Sequence, residues 1–136
     1  MGASLGKYMG PALALNGLLD IMLATPFLQG QVEDIIKPLI KAQGKEDPGA
    51  ALAITIIKSM AAGIGLVRLV AGLNYNDSTA KVAMASYLSE CIPAILALAT
   101  QHPHINQQAV VPLAVLPMIG IAALLKATKG PKLKPN

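Results

Sequence analysis

The chain has 136 residues, of which 54% are apolar and only 13% are charged, and its mean hydropathy is +0.55. A soluble domain carries about 25% charged residues because its surface faces water. This composition therefore argues against an ordinary soluble protein and favours one that faces lipid. The formal net charge is +4, but the chain has no tryptophan and one phenylalanine. Because aromatic side chains that stack on single-stranded nucleic acid are scarce, we expect no nucleic-acid partner.

The length fits a single domain covering residues 1–136. Its one cysteine, Cys91, excludes an internal disulfide and a C-x-x-C metal site. In a membrane span this residue is expected to pack as a small side chain, because an apolar setting disfavours the reactive thiolate.

Four apolar stretches are each close to the roughly 20 residues that cross about 30 Å of hydrocarbon as a helix. The sequence predicts membrane spans over residues 8–28, 50–73, 79–100 and 108–127. The polar turn at 74–78 is short, so the second and third spans must be antiparallel neighbours. Pro112 and Pro117 predict kinks in the fourth span. We therefore expect an all-α integral membrane four-helix bundle.

The segment 29–49, between the first two spans, has a different pattern. Apolar residues recur at helical spacing on one face, at Val32, Ile35, Ile36, Leu39 and Ile40. Charged residues occupy the other face, at Glu33, Asp34, Lys37 and Lys41. This pattern predicts an amphipathic helix that lies in the membrane interface, and a cover over the ends of the spans is a compatible alternative.

Lysines are distributed unequally between the two ends of the predicted bundle. With four spans, the end that holds both termini collects Lys7, Lys81, Lys126, Lys129, Lys132 and Lys134. The other end holds Lys37, Lys41 and Lys45. Basic residues in short loops stay in the cytoplasm. We therefore expect both termini on the cytoplasm-equivalent side of the endoplasmic reticulum or an organellar membrane.

Four ionisable residues lie inside predicted spans: Asp20, Lys58, Arg68 and Glu90. At about 1.5 Å per residue from the end that holds the termini, Asp20 and Glu90 lie roughly 16 to 18 Å deep and Lys58 roughly 22 Å. Arg68 lies about 7 Å deep on the same scale. We expect Lys58 to pair with Asp20 or Glu90, and Arg68 to reach the interface or Glu90. Such a neutral cluster either fixes the packing of the helices or forms a proton relay or acid/base pair.

Small residues predict where helices approach closely. The second span contains two small-x-x-x-small pairs, Ser59 with Gly63 and Ala61 with Gly65. The same pattern occurs at 10–14 in the first span and at 85–89 in the third. In lipid, helices associate through close backbone contact, so these faces are expected to be buried.

His102 and His104 form an H-x-H pair in the last loop, which makes them weak candidates for binding a cofactor such as a porphyrin. No third ligand is evident, so no metal site is predicted.

Residues 50–127 resemble the ergosterol-biosynthesis scaffold family. The resemblance is carried by the run GIGLVRLVAG at 63–72, the turn NYNDS, the pair Ser86-Tyr87 and the final AVVPLAVLPMIGIAALL. It implies a small four-span protein of the endoplasmic reticulum that tethers sterol enzymes without catalysis of its own. The chain departs from the family in lacking tryptophan, in the position of the acidic residue of the third span and in its amphipathic loop.

Three hypotheses of function follow. The favoured one is a non-catalytic scaffold or accessory subunit that packs against larger integral membrane proteins and lipid. The second is an accessory subunit of a photosynthetic or respiratory complex that contacts lipid or a pigment such as chlorophyll. The third is a small membrane enzyme or proton-coupled transporter that uses Asp20, Lys58 and Glu90.

Overall fold

A computed structural model describes residues 2–24, 48–101, 103 and 105–129. These residues form four α-helices: α1 (Gly2–Leu23), α2 (Pro48–Leu73), α3 (Asp77–Thr100) and α4 (Gln107–Thr128). The predicted all-α four-helix bundle is confirmed. An amphipathic helix is predicted within 29–49, and residues 29–47 of that segment lie outside the described residues. Residues 48 and 49 belong to α2.

The boundaries of α2, α3 and α4 match the predicted spans to within two residues, whereas α1 begins and ends before the predicted span 8–28. Residues 25–28 of that predicted span lie outside the described residues. Helix α1 begins at Gly2, six residues before the predicted first span, and passes through Pro11. Helix α4 continues through both Pro112 and Pro117.

Helices α1 and α2 pack as an antiparallel pair through glycine. A Cβ added at Gly65 would lie 2.6 Å from the carbonyl oxygen of Gly17, and one added at Gly72 would lie 2.6 Å from that of Gly10. These backbones therefore touch where no side chain intervenes. In both helices the glycines are seven residues apart, the spacing of a left-handed coiled-coil contact. An early α1 glycine meets a late α2 glycine, so the two helices run in opposite directions.

The turn between α2 and α3 is fixed by a capping box. The side chain of Asn76 accepts hydrogen bonds from the backbone N–H groups of Ser78 at 2.8 Å and Thr79 at 3.1 Å. In return, the Thr79 hydroxyl accepts from the Asn76 backbone N–H at 2.8 Å. Three backbone donors at the start of α3 are satisfied in this way, so α2 ends and α3 begins within a few residues.

The core of the bundle is built mainly from small side chains. One cluster draws on all four helices, with Leu13, Ala71, Ala80, Ala83 and Leu124. A second joins α3 to α4, with Ala94, Val110 and Ala114. The first cluster brings together the middle of α1, the end of α2, the start of α3 and the end of α4, so it lies towards the end of the bundle nearest the termini.

Large apolar side chains lie on the outside of the bundle. Leu15 on α1, Leu66 on α2, Leu96 on α3 and Leu116 on α4 are each more than half exposed. Three helical segments, Leu52–Leu73, Asp77–Thr100 and Gln107–Thr128, are long and apolar enough to cross a membrane. Helix α1 contains Lys7, Asn16 and Asp20 and is not one of them.

Candidate functional site

Arg68 is the most enclosed charged residue that the structure describes, with 2% of its surface exposed. Its Nη1 donates to Oδ2 of Asp20 on α1 at 2.8 Å, and its Nη2 donates to Oε2 of Glu90 on α3. Its Nε donates to the hydroxyl of Ser86 on α3 at 3.1 Å. One guanidinium on α2 therefore binds side chains of both neighbouring helices.

Tyr87 covers the guanidinium from the side of α3. The Cζ of Arg68 lies 3.8 Å from the centroid of the Tyr87 ring, within the range of a cation–π contact. The Tyr87 hydroxyl donates to Oδ1 of Asn16 at 2.5 Å. On its other side the ring lies against α4, where a Cβ added at Gly120 would come 2.9 Å from Tyr87 Cζ. All four helices thus contribute to this site.

Two neutral residues complete the hydrogen bonding. The hydroxyl of Ser86 donates to the carbonyl of Ala83 at 2.6 Å, which leaves its oxygen free to accept from Arg68. The side-chain amide of Asn16 donates to Oδ2 of Asp20 at 3.4 Å. Among the described side chains, no buried nitrogen or oxygen atom lacks a partner. We refer to Asn16, Asp20, Arg68, Ser86, Tyr87 and Glu90 as the arginine cluster.

The direction of each side chain explains why Arg68 meets carboxylates that begin deeper in the bundle. A helical Cα–Cβ bond tilts towards the N-terminus of its helix. On α1 and α3 that tilt points Asp20 and Glu90 towards the end nearest the termini, and on antiparallel α2 it points Arg68 away from that end. The side chains therefore extend towards one another. Depths measured along Cα atoms alone underestimate the reach of Arg68.

Lys58 does not join the cluster, and the prediction of a neutral set of two acids and two bases is wrong in this respect. The register of α1 against α2 gives the reason, because the Asp20 side chain lies against Gly65. Gly65 is three residues from Arg68 but seven from Lys58. Lys58 is half-buried, and it takes part in neither of the ion pairs that Asp20 and Glu90 form with Arg68. The predicted approach of Arg68 to Glu90 is confirmed.

The predicted packing residues of α2 fall into two groups. Gly65 packs directly against α1, as expected, and Ala61 is half-buried. Gly63 has open space around its added Cβ, and Ser59 is exposed with its hydroxyl donating to the carbonyl of Thr55 at 2.9 Å. The pair at 85–89 on α3 is also exposed. Within this chain the expected close approach is therefore found at Gly65, whereas Ser59, Gly63 and the α3 pair have no helix packed over them.

Other spacings in the sequence indicate several of the contact residues that the small-x-x-x-small pattern does not identify. Gly17 and Gly72 follow the seven-residue spacing that Gly10 and Gly65 begin. Ser86 precedes Glu90 by four residues, which places both on one face of α3. Tyr87 had no such signal, because its position depends on the gap at Gly120 in another helix.

The remaining candidates contribute little to this site. Cys91 is buried, and its thiol donates weakly to the carbonyl of Leu88 at 3.7 Å, which confirms its packing role. His102 and His104 lie outside the described residues. The described residues contain no group of three or more His, Cys, Asp or Glu side chains that could hold a metal ion.

Lysines and tyrosines mark the end of the bundle nearest the termini. Four exposed lysines lie there, Lys7, Lys81, Lys126 and Lys129. Tyr8 is 64% exposed at the same end, and Tyr75 is half-buried against Gly10. Burial, with a smaller contribution from the charge of Asp77, raises the pKa of Tyr75, so it remains a neutral phenol.

Comparisons with known proteins identify no relative of this chain. No family model, no curated protein and no solved structure matches it significantly.

Proposed function

We propose that this chain is an integral membrane protein without catalysis of its own, which serves as a scaffold or accessory subunit of larger membrane proteins. The observation that carries the proposal is the distribution of side chains, which is the reverse of that in a soluble protein. Many large apolar residues face outwards, while small residues and the arginine cluster face inwards. In water that arrangement would expose an apolar surface on every helix, whereas in lipid it places apolar groups in an apolar solvent.

Helix α1 is proposed as the fourth span despite its polar residues. Asn16 and Asp20 form hydrogen bonds inside the bundle, so their polar groups are not presented to lipid. The outer face of α1 is apolar, with Leu15, Leu18 and Leu19 exposed. The cost of a polar group in hydrocarbon is reduced when it faces and bonds neighbouring helices.

The arginine cluster supports a structural role for the charges. Helices α1 and α2 pack as one antiparallel pair and α3 and α4 as another, and Arg68 with Tyr87 links the two pairs. An ion cluster of this kind specifies which helices face each other, because any other arrangement strands a charge.

Partner proteins are proposed to dock on the outer face of α2. The pair Ser59 and Gly63 faces away from the rest of the bundle and leaves room for close approach of another helix. The resemblance of residues 50–127 to the ergosterol-biosynthesis scaffold family favours the same role, with the endoplasmic reticulum as the membrane. The exposed lysines at the end nearest the termini favour the cytoplasmic side for both termini.

The proposal is tested by purifying the full chain from its native membrane in mild detergent and identifying the proteins that accompany it. We expect integral membrane proteins to co-purify with the unmodified chain. We expect Gly63→Leu to insert normally and to lose them, because leucine fills the space between the helices. Gly6→Leu is the matched control, since Gly6 also has open space around its added Cβ.

Two results would contradict the proposal. Extraction of the chain from membranes by alkaline carbonate would show that it is not integral. Recovery of the same proteins with Gly63→Leu would exclude the outer face of α2 as the docking surface. The absorbance spectrum of the same preparation tests the alternative of a chlorophyll-containing subunit.

A further inference from the structure

The lysines that the structure describes are concentrated at one end of the bundle. Four of the five are exposed at the end nearest the termini, namely Lys7, Lys81, Lys126 and Lys129. The fifth, Lys58, is half-buried within α2. In the described part of the chain, Asp77 is the one acidic residue at the end nearest the termini. That end therefore carries an excess of positive charge.

The packing of α3 on α4 places two of these lysines at one level. Tyr87 on α3 lies against Gly120 on α4. Lys81 precedes Tyr87 by six residues, and Lys126 follows Gly120 by six residues. Because the two helices are antiparallel, these equal distances bring the lysines level with each other. Each lies within about 6 Å of the end of its helix, at about 1.5 Å per residue.

Helix α1 brings a third lysine to the same end. Gly10 packs against Gly72, and α2 ends one residue later, at Leu73. Lys7 precedes Gly10 by three residues, so it lies level with the turn that follows α2. The neighbouring Tyr8 is 64% exposed. Tyrosine and lysine at one level are typical of the boundary where a membrane protein meets lipid headgroups.

The far end of the bundle does not share this positive charge. Its described segments, 21–24, 48–57, 97–101 and 105–113, contain no charged residue. The sequence that joins α1 to α2, residues 25–47, contains three lysines and four acids. An excess of positive charge is therefore a property of the end nearest the termini.

We propose that the end nearest the termini binds the headgroups of anionic phospholipids, with Lys126 and Lys129 at the end of α4 as the main contact. This inference rests on the proposed placement of the bundle in a membrane. The two lysines are three residues apart on helical backbone, so they share one face and repel each other. No acidic residue of α4 offsets them. A phosphate beside both ammonium groups removes that repulsion.

The arrangement of the lysines favours lipid over an acidic segment of a partner protein. They are distributed over α1, α3 and the end of α4, at the level of the headgroups. A protein segment would cover one side of the bundle, whereas headgroups surround all of it. Anionic lipids are favoured over zwitterionic ones, because phosphatidylcholine already carries a cation beside its phosphate.

Quenching of a fluorescent label by brominated lipids tests the proposal on the full chain, in vesicles of phosphatidylcholine and phosphatidylglycerol. Bimane is attached after Leu125→Cys or Val111→Cys, each in a Cys91→Ala background. Both positions are exposed on α4, by 40% and 45%, but Leu125 adjoins Lys126 and Val111 lies near the far end. At position 125 we expect phosphatidylglycerol, brominated in its acyl chains, to associate about fivefold more strongly than brominated phosphatidylcholine. At position 111 we expect no preference.

Single lysine changes give the matched controls. Lys126→Gln and Lys129→Gln should each lower the preference at position 125, and together they should abolish it. Lys58→Gln also removes one positive charge and should retain the preference. High salt should weaken the preference, because the lysines are exposed and their charges are screened.

Three results would overturn the proposal: equal preference at positions 111 and 125, no preference at either position, or a preference that survives the double lysine change. The comparison of the two positions keeps every lysine, so it decides the question even where a lysine variant folds poorly. The carbonate extraction and co-purification described above test the proposed function separately. A chain that resists extraction and retains its partners but shows no lipid preference loses this inference alone.

Discussion

Tyr87 occupies the space that the absent side chain of Gly120 leaves on α4. Its ring is held there from two sides, by the hydrogen bond of its hydroxyl to Asn16 and by its contact with the guanidinium of Arg68. The ring therefore cannot turn away without breaking one of these contacts. The glycine on α4 and the charged groups on α1 and α2 are coupled through this one tyrosine.

Gly120→Ala is expected to destabilise the bundle by about 1 to 3 kcal/mol, because the added methyl overlaps a ring that is held in place. Helix propensity alone would favour alanine by about 1 kcal/mol. Gly63→Ala isolates that propensity effect, since its Cβ has open space. Unfolding in detergent should show that the free energy of unfolding falls in Gly120→Ala and rises in Gly63→Ala. Equal stabilities of the two variants would contradict the packing of Tyr87 on α4.

Gly65→Ala should be at least as damaging as the change at Gly120. Its Cβ would lie 2.6 Å from a backbone carbonyl oxygen of α1, and backbone cannot move aside as a side chain can. We expect a loss of about 1 to 3 kcal/mol or more, measured by unfolding in detergent. A fully stable Gly65→Ala variant would show that α1 and α2 do not approach so closely.

Arg68→Met is expected to cost about 3 to 5 kcal/mol, because it leaves carboxylates in the bundle without their cation. Adding Asp20→Asn and Glu90→Gln to the same chain should recover much of the loss, since no charge then remains unpaired. A double-mutant cycle between Arg68 and Glu90 gives the coupling between the two side chains. Additive losses would mean that the two groups do not interact.

Lys58→Met provides the matched control for Arg68→Met, since it removes a cation from the same helix. Lys58 takes part in neither ion pair of the cluster, so its replacement should change stability by less than about 1 kcal/mol. A loss as large as that of Arg68→Met would place Lys58 among the groups that neutralise Asp20 and Glu90.

Tyr87→Phe keeps the ring between Arg68 and Gly120 but removes the hydroxyl that donates to Asn16. We expect a loss of about 0.5 to 1.5 kcal/mol, the net value of one internal hydrogen bond. Asn16→Ala in the Tyr87→Phe background should then cost less than it does in the unmodified chain. Identical costs of Asn16→Ala in the two backgrounds would rule out this bond.

The topology is tested with single cysteines in a Cys91→Ala background. Ser78 at the start of α3 and Gln101 just after its end are both exposed. Membrane-impermeant maleimide should label cysteines at these positions from opposite sides of the membrane. A cysteine at Ser4 should be labelled from the same side as Ser78. Labelling of Ser78 and Gln101 from one side would exclude α3 as a membrane span.

The sequence predicts the helices well because apolar length and polar turns are local properties. The capped turn at Asn76 and the three apolar helices that follow residue 48 are examples. The prediction that Lys58 pairs with Asp20 or Glu90 was wrong, because the pairing depends on the register between α1 and α2. That register is set by contacts between glycines on separate helices. The depth of a residue along its own helix carries no information about that register. The length and direction of the side chain also decide which groups meet, and Cα positions do not include them.

Because Cys91 is buried, the reaction of its thiol can report when the bundle opens. Its sulfur is enclosed on α3 one residue beyond Glu90, so alkylation requires α3 to separate from the helices around it. When reclosing is fast, the rate of such a reaction measures the population of the open state. Thiol labelling over time would therefore follow the opening of the bundle around Cys91 in intact membranes, with no probe added to the chain.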